Sequence, residues 1–304
     1  MNYTVDFAII GCGPSGMAAA LYASRAGLDT VIIEAGAPGG KLMKTDMVEN
    51  YPGIPAIPGP DLGIAMYQQA LQYGAKYKAG YVESVTPDLE INLKNGDIYK
   101  CKAILVATGT KEKLLNIPGE QDALQHGESF CAVCDGAFFR GKDVVVIGGG
   151  NSALGESLFL TQFVNKVTIV IRRDQFRAES KLQDEIRENP KIEVITDNVP
   201  VEVLLEGGSV SGVVLENVKT GDKMTVPCSG LFPYIGATPE TEFVQNLGIT
   251  DDKGYIKVDL DMKTEIPGLF AAGDCIDKTL RQIVTAAGDG ALAAQMAFHH
   301  INGY

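Results

Sequence analysis

An apolar strand, a glycine-rich turn and a helix follow one another twice in this chain, 137 residues apart. The first copy is the run 5–10, which leads into the turn 11–16 and an alanine-rich helix. The second is the run 143–147, which leads into the turn 148–153 and a helix to about residue 163. Strands that are apolar without alternation are typical of parallel sheets buried on both faces. The repeat therefore predicts two α/β units of similar design.

The first glycine turn has the spacing of a dinucleotide-binding fingerprint. It reads Gly-x-Gly-x-x-Gly between a strand and a helix, and it consists of Gly11, Gly13, Pro14, Ser15 and Gly16 with one further residue. Glu34 ends the following strand, 23 residues after the first glycine. Glycines let the backbone approach a pyrophosphate, the helix N-terminus stabilises its charge, and an acid at this position binds ribose hydroxyls. The first unit is therefore expected to bind an adenine dinucleotide; the alternative is a tight turn without a ligand.

The second copy differs at the position that corresponds to Glu34. Ile171 stands there without a carboxylate, and it is followed by Arg172, Arg173 and, one helical turn later, Arg177. Guanidinium groups in place of an acid suit the 2′-phosphate of NADP. An ordinary solvated charge run at a strand end is the alternative. The pyrophosphate of NADPH is then expected on the second turn, at Gly148, Gly150, Asn151, Ser152 and Ala153.

Cys131 and Cys134 lie three residues apart, before the second glycine turn, and Asp135 follows at once. Such a pair switches between dithiol and disulfide, and an adjacent acid can carry protons for the exchange. Half of a zinc site and two unrelated buried thiols are the alternatives. Zinc would need further ligands at suitable spacing, and the other cysteines are isolated in sequence. We therefore expect redox chemistry at the pair and no metal.

Length and composition limit the class of protein. With 304 residues the chain suits two domains. Its 6 cysteines are too few for a disulfide scaffold, which favours a cytoplasmic enzyme with one catalytic pair. No apolar run approaches the roughly 18 residues of a membrane span, and the first residues lack the order of a signal peptide. A net charge of −12 argues against nucleic acids and anionic membranes as partners.

The last part of the chain is expected to return to the first unit. Segment 228–236 can be laid on 101–109, a buried strand that ends in a glycine turn, whereas segment 267–274 has no copy of its own. The second unit is then an insertion in the first. Asp274 ends this last strand and could hold a ribitol hydroxyl, and an alanine-rich helix at 291–298 could direct its positive end at a flavin carbonyl. A capping Asp and a packing helix are the alternative.

Together these motifs resemble one family, the low-molecular-weight thioredoxin reductases of the two-dinucleotide-binding flavoprotein superfamily. The resemblance covers nearly the whole chain. It includes both glycine turns, the cysteine pair, and the segments 48–53, 107–109, 117–120, 172–177, 273–274 and 281–282. It implies an α/β fold of two Rossmann-like, three-layer domains. The FAD-binding domain would comprise 1–112 and 237–304, and the inserted NADPH-binding domain, which carries the disulfide, would comprise 113–236.

The resemblance also implies an activity and its residues. Electrons would pass from NADPH to FAD, then to the disulfide of Cys131 and Cys134, and then to thioredoxin or a thioredoxin-like protein, with Asp135 as the acid. One domain would rotate against the other about linkers near 111–120 and 234–240, and the chain would form a homodimer. Besides the first glycine turn and Glu34, the implied FAD contacts are Ala35, Gly40, Lys41, Leu42, Asn50, Val82, Ala107, Gly109, Gly273, Asp274, Arg281, Gln282 and Ile283.

Three positions depart from the family pattern. Ile171 stands where histidine is common, Lys41 where glutamine is usual, and Gly155 where a carboxylate is frequent. Glycine costs a helix roughly 1 kcal/mol relative to alanine, so Gly155 is expected to allow a close approach. NADH and reduced ferredoxin are alternative donors, and a glutaredoxin-like protein or a peroxiredoxin is an alternative acceptor. A flavin-binding redox sensor is the alternative from another class; the second glycine turn argues against it, because a sensor needs no hydride donor.

Overall fold

The computed structural model describes the whole chain except Asp46, Gln125 and the side chain of Cys134. Strands and helices alternate along most of its length. The elements of the first 112 residues are β1 (Asn2–Ile10), α1 (Pro14–Arg25), β2 (Thr30–Glu34), β3 (Met47–Val48), β4 (Ile57–Pro58), α2 (Gly59–Gln72), β5 (Lys76–Ala79), β6 (Val82–Val85), β7 (Glu90–Leu93), β8 (Ile98–Val106) and β9 (Thr110–Glu112).

The following segment carries the cysteine pair and the second glycine turn. Its elements are α3 (Glu120–Ala123), α4 (Ala132–Asp135), β10 (Asp143–Ile147), α5 (Asn151–Leu160), β11 (Lys166–Val170), α6 (Ser180–Glu188), β12 (Ile192–Ile195), β13 (Asn198–Glu206), β14 (Ser209–Asn217), β15 (Lys223–Pro227) and β16 (Gly230–Pro233). The chain ends with β17 (Ala237–Pro239), β18 (Leu269–Ala271) and α7 (Ile283–Asn302).

The chain divides into two compact units. One consists of Met1–Lys111 and Thr238–Tyr304, and the other of Glu112–Ala237. The boundaries expected from the sequence, 112/113 and 236/237, are adjacent to these. Each crossing between the units falls within a short strand, β9 or β17.

The first unit is built on a sheet with the strand order β5-β2-β1-β8-β7-β6, and β18 also pairs with β8. The pairs that β1 forms with β2 and β8 are parallel. Phe7 and Ile9 of β1 join the core that contains α1, α2 and α7, whereas Ala8 and Ile10 join the core on the other face. Both faces of the sheet are therefore buried, which explains the unbroken apolar run.

The second unit repeats this design on a parallel sheet with the order β12-β11-β10-β16. Val144 and Val146 of β10 pack on the side of α5 and α6, and Val145 and Ile147 pack on the opposite side. There the antiparallel sheet β13-β14-β15 covers the parallel one, with Val213 of β14 in the shared core. The α/β fold class with parallel sheets is confirmed.

The last helix is longer than the sequence indicated. We expected the last helix at 291–298, but α7 already begins at Ile283, with Gln282 as its N-cap in a capping box with Thr285. A Cβ on Gly290, inside this helix, would come within 2.0 Å of the Ser15 carbonyl oxygen. Glycine at position 290 thus permits close packing of α7 on α1. Neither α7 nor any other helix in the described chain is long and apolar enough to cross a membrane.

Candidate active site

In the first glycine turn, two glycines pack closely against neighbouring backbone, and the middle one has open space beside it. A Cβ on Gly11, whose φ is +107°, would lie 2.4 Å from the Ala107 carbonyl oxygen, and one on Gly16 would lie 2.0 Å from the Gly11 carbonyl oxygen. A Cβ on Gly13 would meet nothing within 4 Å. The turn is therefore packed tightly between β8 and α1 while it leaves bare backbone at Gly13, where a phosphate can approach.

Ser15 supports the presence of a ligand at this turn. Its side chain is buried in the first turn of α1, behind Pro14, and its Oγ has no hydrogen-bond partner among the described residues. Buried hydroxyls are normally hydrogen-bonded, and the N-terminal turn of a helix stabilises negative charge. A pyrophosphate oxygen here would satisfy Ser15, so the residues present fit a bound dinucleotide.

The two carboxylate oxygens of Glu34 accept hydrogen bonds from the backbone. Oε2 accepts from the amide of Cys12 at 2.8 Å, and Oε1 accepts from the amide of Gly36 at 2.7 Å. The acid thus ties the end of β2 to the glycine turn, and each oxygen keeps a lone pair for a ribose hydroxyl. Ala35, the next residue, is exposed.

Polar contacts join predicted FAD contacts from distant parts of the first unit. Lys41 Nζ lies 3.7 Å from Asp274 Oδ2 and donates to Thr110 Oγ1 at 2.8 Å. Asn50 Nδ2 donates to Gln282 Oε1 at 3.0 Å. Three segments that are far apart in sequence therefore converge.

Two glycines bring these segments against the first glycine turn. A Cβ on Gly40, whose φ is +57°, would lie 3.1 Å from the Gly13 Cα atom. A Cβ on Gly273, whose φ is +80°, would lie 3.0 Å from the Ser15 Cβ atom. The lysine and aspartate that follow these glycines consequently lie next to the expected pyrophosphate position.

Arg281 is fixed at the start of the last helix. Its guanidinium donates to the carbonyl oxygens of Ile276, at 3.3 Å, and of Asp274, at 3.5 Å. It also lies over the ring of Tyr255, 4.6 Å from the centroid. Ile283 is the first residue of α7, so the positive end of the helix dipole coincides with predicted FAD contacts.

The remaining predicted FAD contacts belong to the framework of the unit. Leu42 and Ala107 are buried in the core beside α1, whereas Val82, which begins β6, is buried in the core of the opposite face. Gly109, whose φ is +73°, accepts a hydrogen bond from the Glu240 amide at 3.2 Å. Leu42 and Val82 therefore do not share one face of the sheet.

The second glycine turn repeats the contacts of the first. The Gly148 amide donates to the Val170 carbonyl at 3.0 Å, the bond that Gly11 makes with the end of β2. A Cβ on Gly148 would lie 2.5 Å from the Tyr234 carbonyl oxygen, and a Cβ on Gly150 would meet nothing within 4 Å. The turn again leaves bare backbone at its middle glycine. The predicted coenzyme contacts Asn151, Ser152 and Ala153 form the first turn of α5.

The loop that carries Arg172, Arg173 and Arg177 is bonded to this turn at two points. The Arg177 amide donates to the Gly149 carbonyl at 2.7 Å. The side chain of Asn151 accepts from the Glu179 amide at 2.8 Å and donates to Glu179 Oε1 at 3.1 Å. The three arginine side chains are exposed, and the loop therefore presents cationic groups beside the second turn.

Ile171 corresponds to Glu34 in the internal repeat but has a different role. Its side chain is buried in the core with Val146 and Ile169. A Cβ on Gly149 would lie 3.0 Å from Ile171 Cγ2. The isoleucine consequently packs beneath the glycine turn. The departure from the family pattern at this position therefore places an apolar side chain in the core. The positive charges are on the arginines that follow.

Cys131 directly precedes the single turn α4, and Cys134 lies within it. Cys131 is disulfide-bonded; its predicted pairing with Cys134 rests on a side chain outside the described residues and stays a prediction. The free thiols are Cys12, Cys101, Cys228 and Cys275. Burial raises the pKa of Cys275 to about 11 and of the other three to about 12, which makes these thiols poor nucleophiles. Within the described chain no cluster of His, Cys, Asp and Glu side chains could hold a metal ion.

Ser129 connects Asp135 to the disulfide segment. Its buried Oγ donates to Asp135 Oδ2 at 2.5 Å and accepts from the Cys131 amide at 3.1 Å. No sequence motif pointed to Ser129. Its position two residues before Cys131 is the only available signal, and it carries no recognised pattern.

Glu156 and Tyr234 also escaped the sequence analysis. The Ala132 amide donates to Tyr234 Oη at 2.8 Å and to Glu156 Oε2 at 3.0 Å, and the tyrosine hydroxyl lies 3.3 Å from the same Oε2. Burial raises the pKa of Glu156, although its hydrogen bonds oppose the shift. Burial, then the charge of Glu156, raises the pKa of Tyr234 well above its usual value. The two side chains come from α5 and from the residue that follows β16, and together they hold the start of α4.

Comparison with known proteins places this geometry in a family. The family model described as pyridine nucleotide-disulphide oxidoreductase matches residues 5–290. A thioredoxin reductase of Listeria monocytogenes is 46% identical over 298 residues, which are 97% of this chain and 93% of that protein. A bifunctional thioredoxin reductase/thioredoxin of Mycobacterium leprae is 45% identical over 94% of this chain and 63% of its own length.

A solved structure agrees with these relatives. The thioredoxin reductase of Streptococcus pyogenes superimposes with a TM-score of 0.88 at 45% identity, over 100% of both chains. The predicted fold of two Rossmann-like domains and the family resemblance are confirmed. The chain belongs to the pyridine nucleotide-disulphide oxidoreductase family and, within it, to the low-molecular-weight thioredoxin reductases.

Proposed function

We propose that this enzyme reduces the disulfide of thioredoxin, with NADPH as the electron donor and FAD as the redox cofactor. In the net reaction, NADPH is oxidised to NADP⁺, and its two electrons, with one proton from NADPH and one from solvent, convert a disulfide into two thiols. The observation that carries the proposal is the disulfide-bonded Cys131, with Asp135 beside it, in the unit that also holds the second glycine turn. Thioredoxin as acceptor is supported by the relatives' names, among them one that combines reductase and thioredoxin.

FAD would be held by the first unit. The bare backbone at Gly13 and the unpartnered hydroxyl of Ser15 would bind its pyrophosphate, Glu34 its adenosine ribose, and Asp274 a ribitol hydroxyl. Lys41, beside Asp274, would add a positive charge. When bound, FAD supplies a group that accepts two electrons from a nicotinamide and delivers them to a disulfide.

NADPH would be held by the second unit. Gly150 leaves bare backbone for the pyrophosphate, and Arg172, Arg173 and Arg177 supply exposed guanidinium groups for the 2′-phosphate. The backbone bond from Arg177 to Gly149 fixes the loop beside the turn. This arrangement favours NADPH over NADH.

Asp135 would donate and accept the protons of the disulfide exchange. Conversion of a disulfide into two thiols consumes two protons together with two electrons, and a thiolate is the first product of each exchange. The carboxyl group of Asp135 follows the pair directly, and the hydroxyl of Ser129 fixes one of its oxygens. Asp135 can therefore give a proton to a thiolate of the pair and recover it from solvent.

Replacing each active cysteine tests the proposal. Cys131→Ser and Cys134→Ser should abolish reduction of thioredoxin by NADPH and leave the bound flavin absorbance unchanged, because the flavin contacts lie in other segments. Cys101→Ser is the matched control: its thiol is free and its pKa is raised by burial, so turnover should persist. Retained turnover in both active-site variants would overturn the proposed function.

The donor is tested by anaerobic stopped-flow reduction of the bound flavin. NADPH should bleach the flavin absorbance quickly and NADH slowly. Equal rates would show that the arginines do not select a 2′-phosphate. Failure with both coenzymes would exclude a pyridine nucleotide as the donor and point to a protein such as reduced ferredoxin.

Two further properties belong to the proposal. We expect a homodimer, which light scattering of the purified protein would detect. We expect the cytoplasm as its compartment, because a reducing environment keeps thiols such as Cys12, Cys228 and Cys275 in their free form.

A further inference from the structure

The amide at the start of α4 is occupied by side chains from two other elements. Ala132 follows Cys131 directly, and its N–H group is shared between the hydroxyl of Tyr234, at 2.8 Å, and a carboxylate oxygen of Glu156, at 3.0 Å. The hydroxyl of Tyr234 lies 3.3 Å from that same oxygen, within hydrogen-bonding distance. The Val133 amide also favours the charged form of Glu156. Donors thus converge on one half-buried carboxylate.

This arrangement affects the chemistry of the Cys131 thiol. In a Cys-x-x-Cys turn, the free amides at the start of the helix and any nearby positive charge lower the pKa of the first cysteine, because they stabilise its thiolate. Here the amide next to Cys131 is bonded to Glu156 and Tyr234 instead. A carboxylate at this position also repels a thiolate.

Thiolate stability in turn sets the redox equilibrium of the pair. Reduction adds two electrons and two protons to the disulfide and yields two thiols. A low thiol pKa stabilises the reduced form as thiolate and makes the disulfide a stronger oxidant, as in DsbA. A thiol that stays protonated lacks this stabilisation, and its dithiol is a stronger reductant.

We propose that Glu156, held in place by Tyr234, is a positioning residue that withdraws the Ala132 amide from Cys131 and thereby keeps the dithiol strongly reducing. The role deepens the proposed function and rests on it, since a reductase must deliver electrons from this pair to a protein disulfide. The charge of Asp135, at the other end of α4, is a further cause of the raised pKa of Tyr234. Glu156 sets the equilibrium of the pair, and Asp135 moves its protons.

The test measures the equilibrium of the holoenzyme disulfide with mixtures of reduced and oxidised dithiothreitol. Samples are quenched with acid, alkylated and analysed by mass spectrometry. Glu156→Gln keeps the size of the side chain and removes its charge. It should raise the equilibrium constant for reduction of the enzyme about tenfold, which corresponds to about 30 mV. The midpoint of the pH dependence of Cys131 alkylation in the reduced enzyme should fall by about one unit.

Two further variants keep the test decisive. Glu185→Gln, an exposed position on α6, is the matched control and should equal the wild type. Tyr234→Phe removes one acceptor from the Ala132 amide and should shift the equilibrium in the same direction, by about threefold, even if Glu156→Gln does not fold. A merely structural role would lower the unfolding temperature without changing the equilibrium.

The proposal is overturned if the constants of both variants stay within twofold of the wild type. Exchange with dithiothreitol uses neither NADPH nor thioredoxin, so its result does not depend on the proposed function. A wild-type enzyme that fails to reduce thioredoxin while Glu156→Gln still shifts the equilibrium would refute the proposed function and leave this inference intact.

Discussion

Replacing Glu128 by glutamine is expected to remove a large part of the pH dependence of stability. Glu128 is only 6% exposed, and neither of its carboxylate oxygens has a hydrogen-bond partner among the described residues. Burial, and then the charge of the fully buried Glu120, raises its pKa from 4.5 to about 8. Glu120 itself accepts hydrogen bonds from the amides of Leu115 and Asn116, each at 2.6 Å.

The direction and the size of the effect follow from this shift. The folded protein keeps a proton that the unfolded chain releases, so the stability that Glu128 contributes is fully present below pH 4.5 and is lost as the pH rises through 8. One pKa unit corresponds to about 1.4 kcal/mol. Between pH 4.5 and 7 the loss is therefore about 3 kcal/mol, and glutamine, which does not titrate, avoids it.

Calorimetric unfolding of the holoenzyme at pH 5, 6, 7 and 8 measures the difference. Glu128→Gln should match the wild type at pH 5 and unfold about 5 °C or more above it at pH 8, given roughly 2–4 °C per kcal/mol for a unit of this size. Glu206→Gln, at an exposed position of β13, is the control and should follow the wild type throughout. Parallel curves for the wild type and Glu128→Gln would refute the argument, because they would mean that Glu128 is charged in the folded protein.

Three further predictions follow from the backbone and from the charges. Gly290→Ala should destabilise the first unit by about 3 kcal/mol or more and lower its flavin content, because the new Cβ would come within 2.0 Å of the Ser15 carbonyl oxygen. Gly288→Ala is the control and should be harmless, because a Cβ there meets nothing within 4 Å. Thermal unfolding and flavin absorbance compare the two variants. Gly155→Ala should stabilise the second unit by about 0.5–1 kcal/mol, since a Cβ within α5 meets nothing within 4 Å there, and an unchanged or lower unfolding temperature would contradict this. Arg177→Ala should raise the KM for NADPH about tenfold or more and leave the KM for NADH unchanged. Arg187→Ala, on α6, is the control. An equal effect on the KM of both coenzymes would exclude a contact of Arg177 with the 2′-phosphate.

The glycine turns were predictable because their constraints are local. A strand, a turn without side chains and a helix are adjacent in sequence, and Gly11 and Gly148 meet the carbonyls of Ala107 and Tyr234, which the internal repeat also aligns. Glu34 was predicted from the same local spacing, although its bonds to the backbone were not.

The hydrogen bonds that fix the start of α4 were not predictable, because they join residues that are far apart in sequence. The Ala132 amide meets Glu156, 24 residues later, and Tyr234, 102 residues later. The repeat aligned the backbone of Tyr234 with that of Ala107, but alanine has no hydroxyl group to indicate the contact. Pair contacts of this kind depend on the packing of three elements.

Two errors of the sequence analysis have one cause, which is that glycine has more than one use. Gly288 and Gly290 were placed before the last helix and lie inside α7, where Gly290 permits helix packing. Gly155 suggested a close approach and has open space beside it. Sequence cannot distinguish these cases, since the partner that makes a glycine necessary belongs to another segment.

The attachment of the arginine loop has a consequence for how the proposed coenzyme preference can evolve and be engineered. The loop is fixed through main-chain groups of Ile171, Arg173, Arg177 and Glu179, whereas the arginine side chains take no part in these bonds. Exchange of the side chains therefore leaves the anchoring bonds in place. If these arginines select the coenzyme, as proposed, point substitutions here can change the electron donor without passing through misfolded intermediates. A library randomised at positions 172, 173 and 177 would accordingly consist largely of folded proteins that differ in the donor they accept.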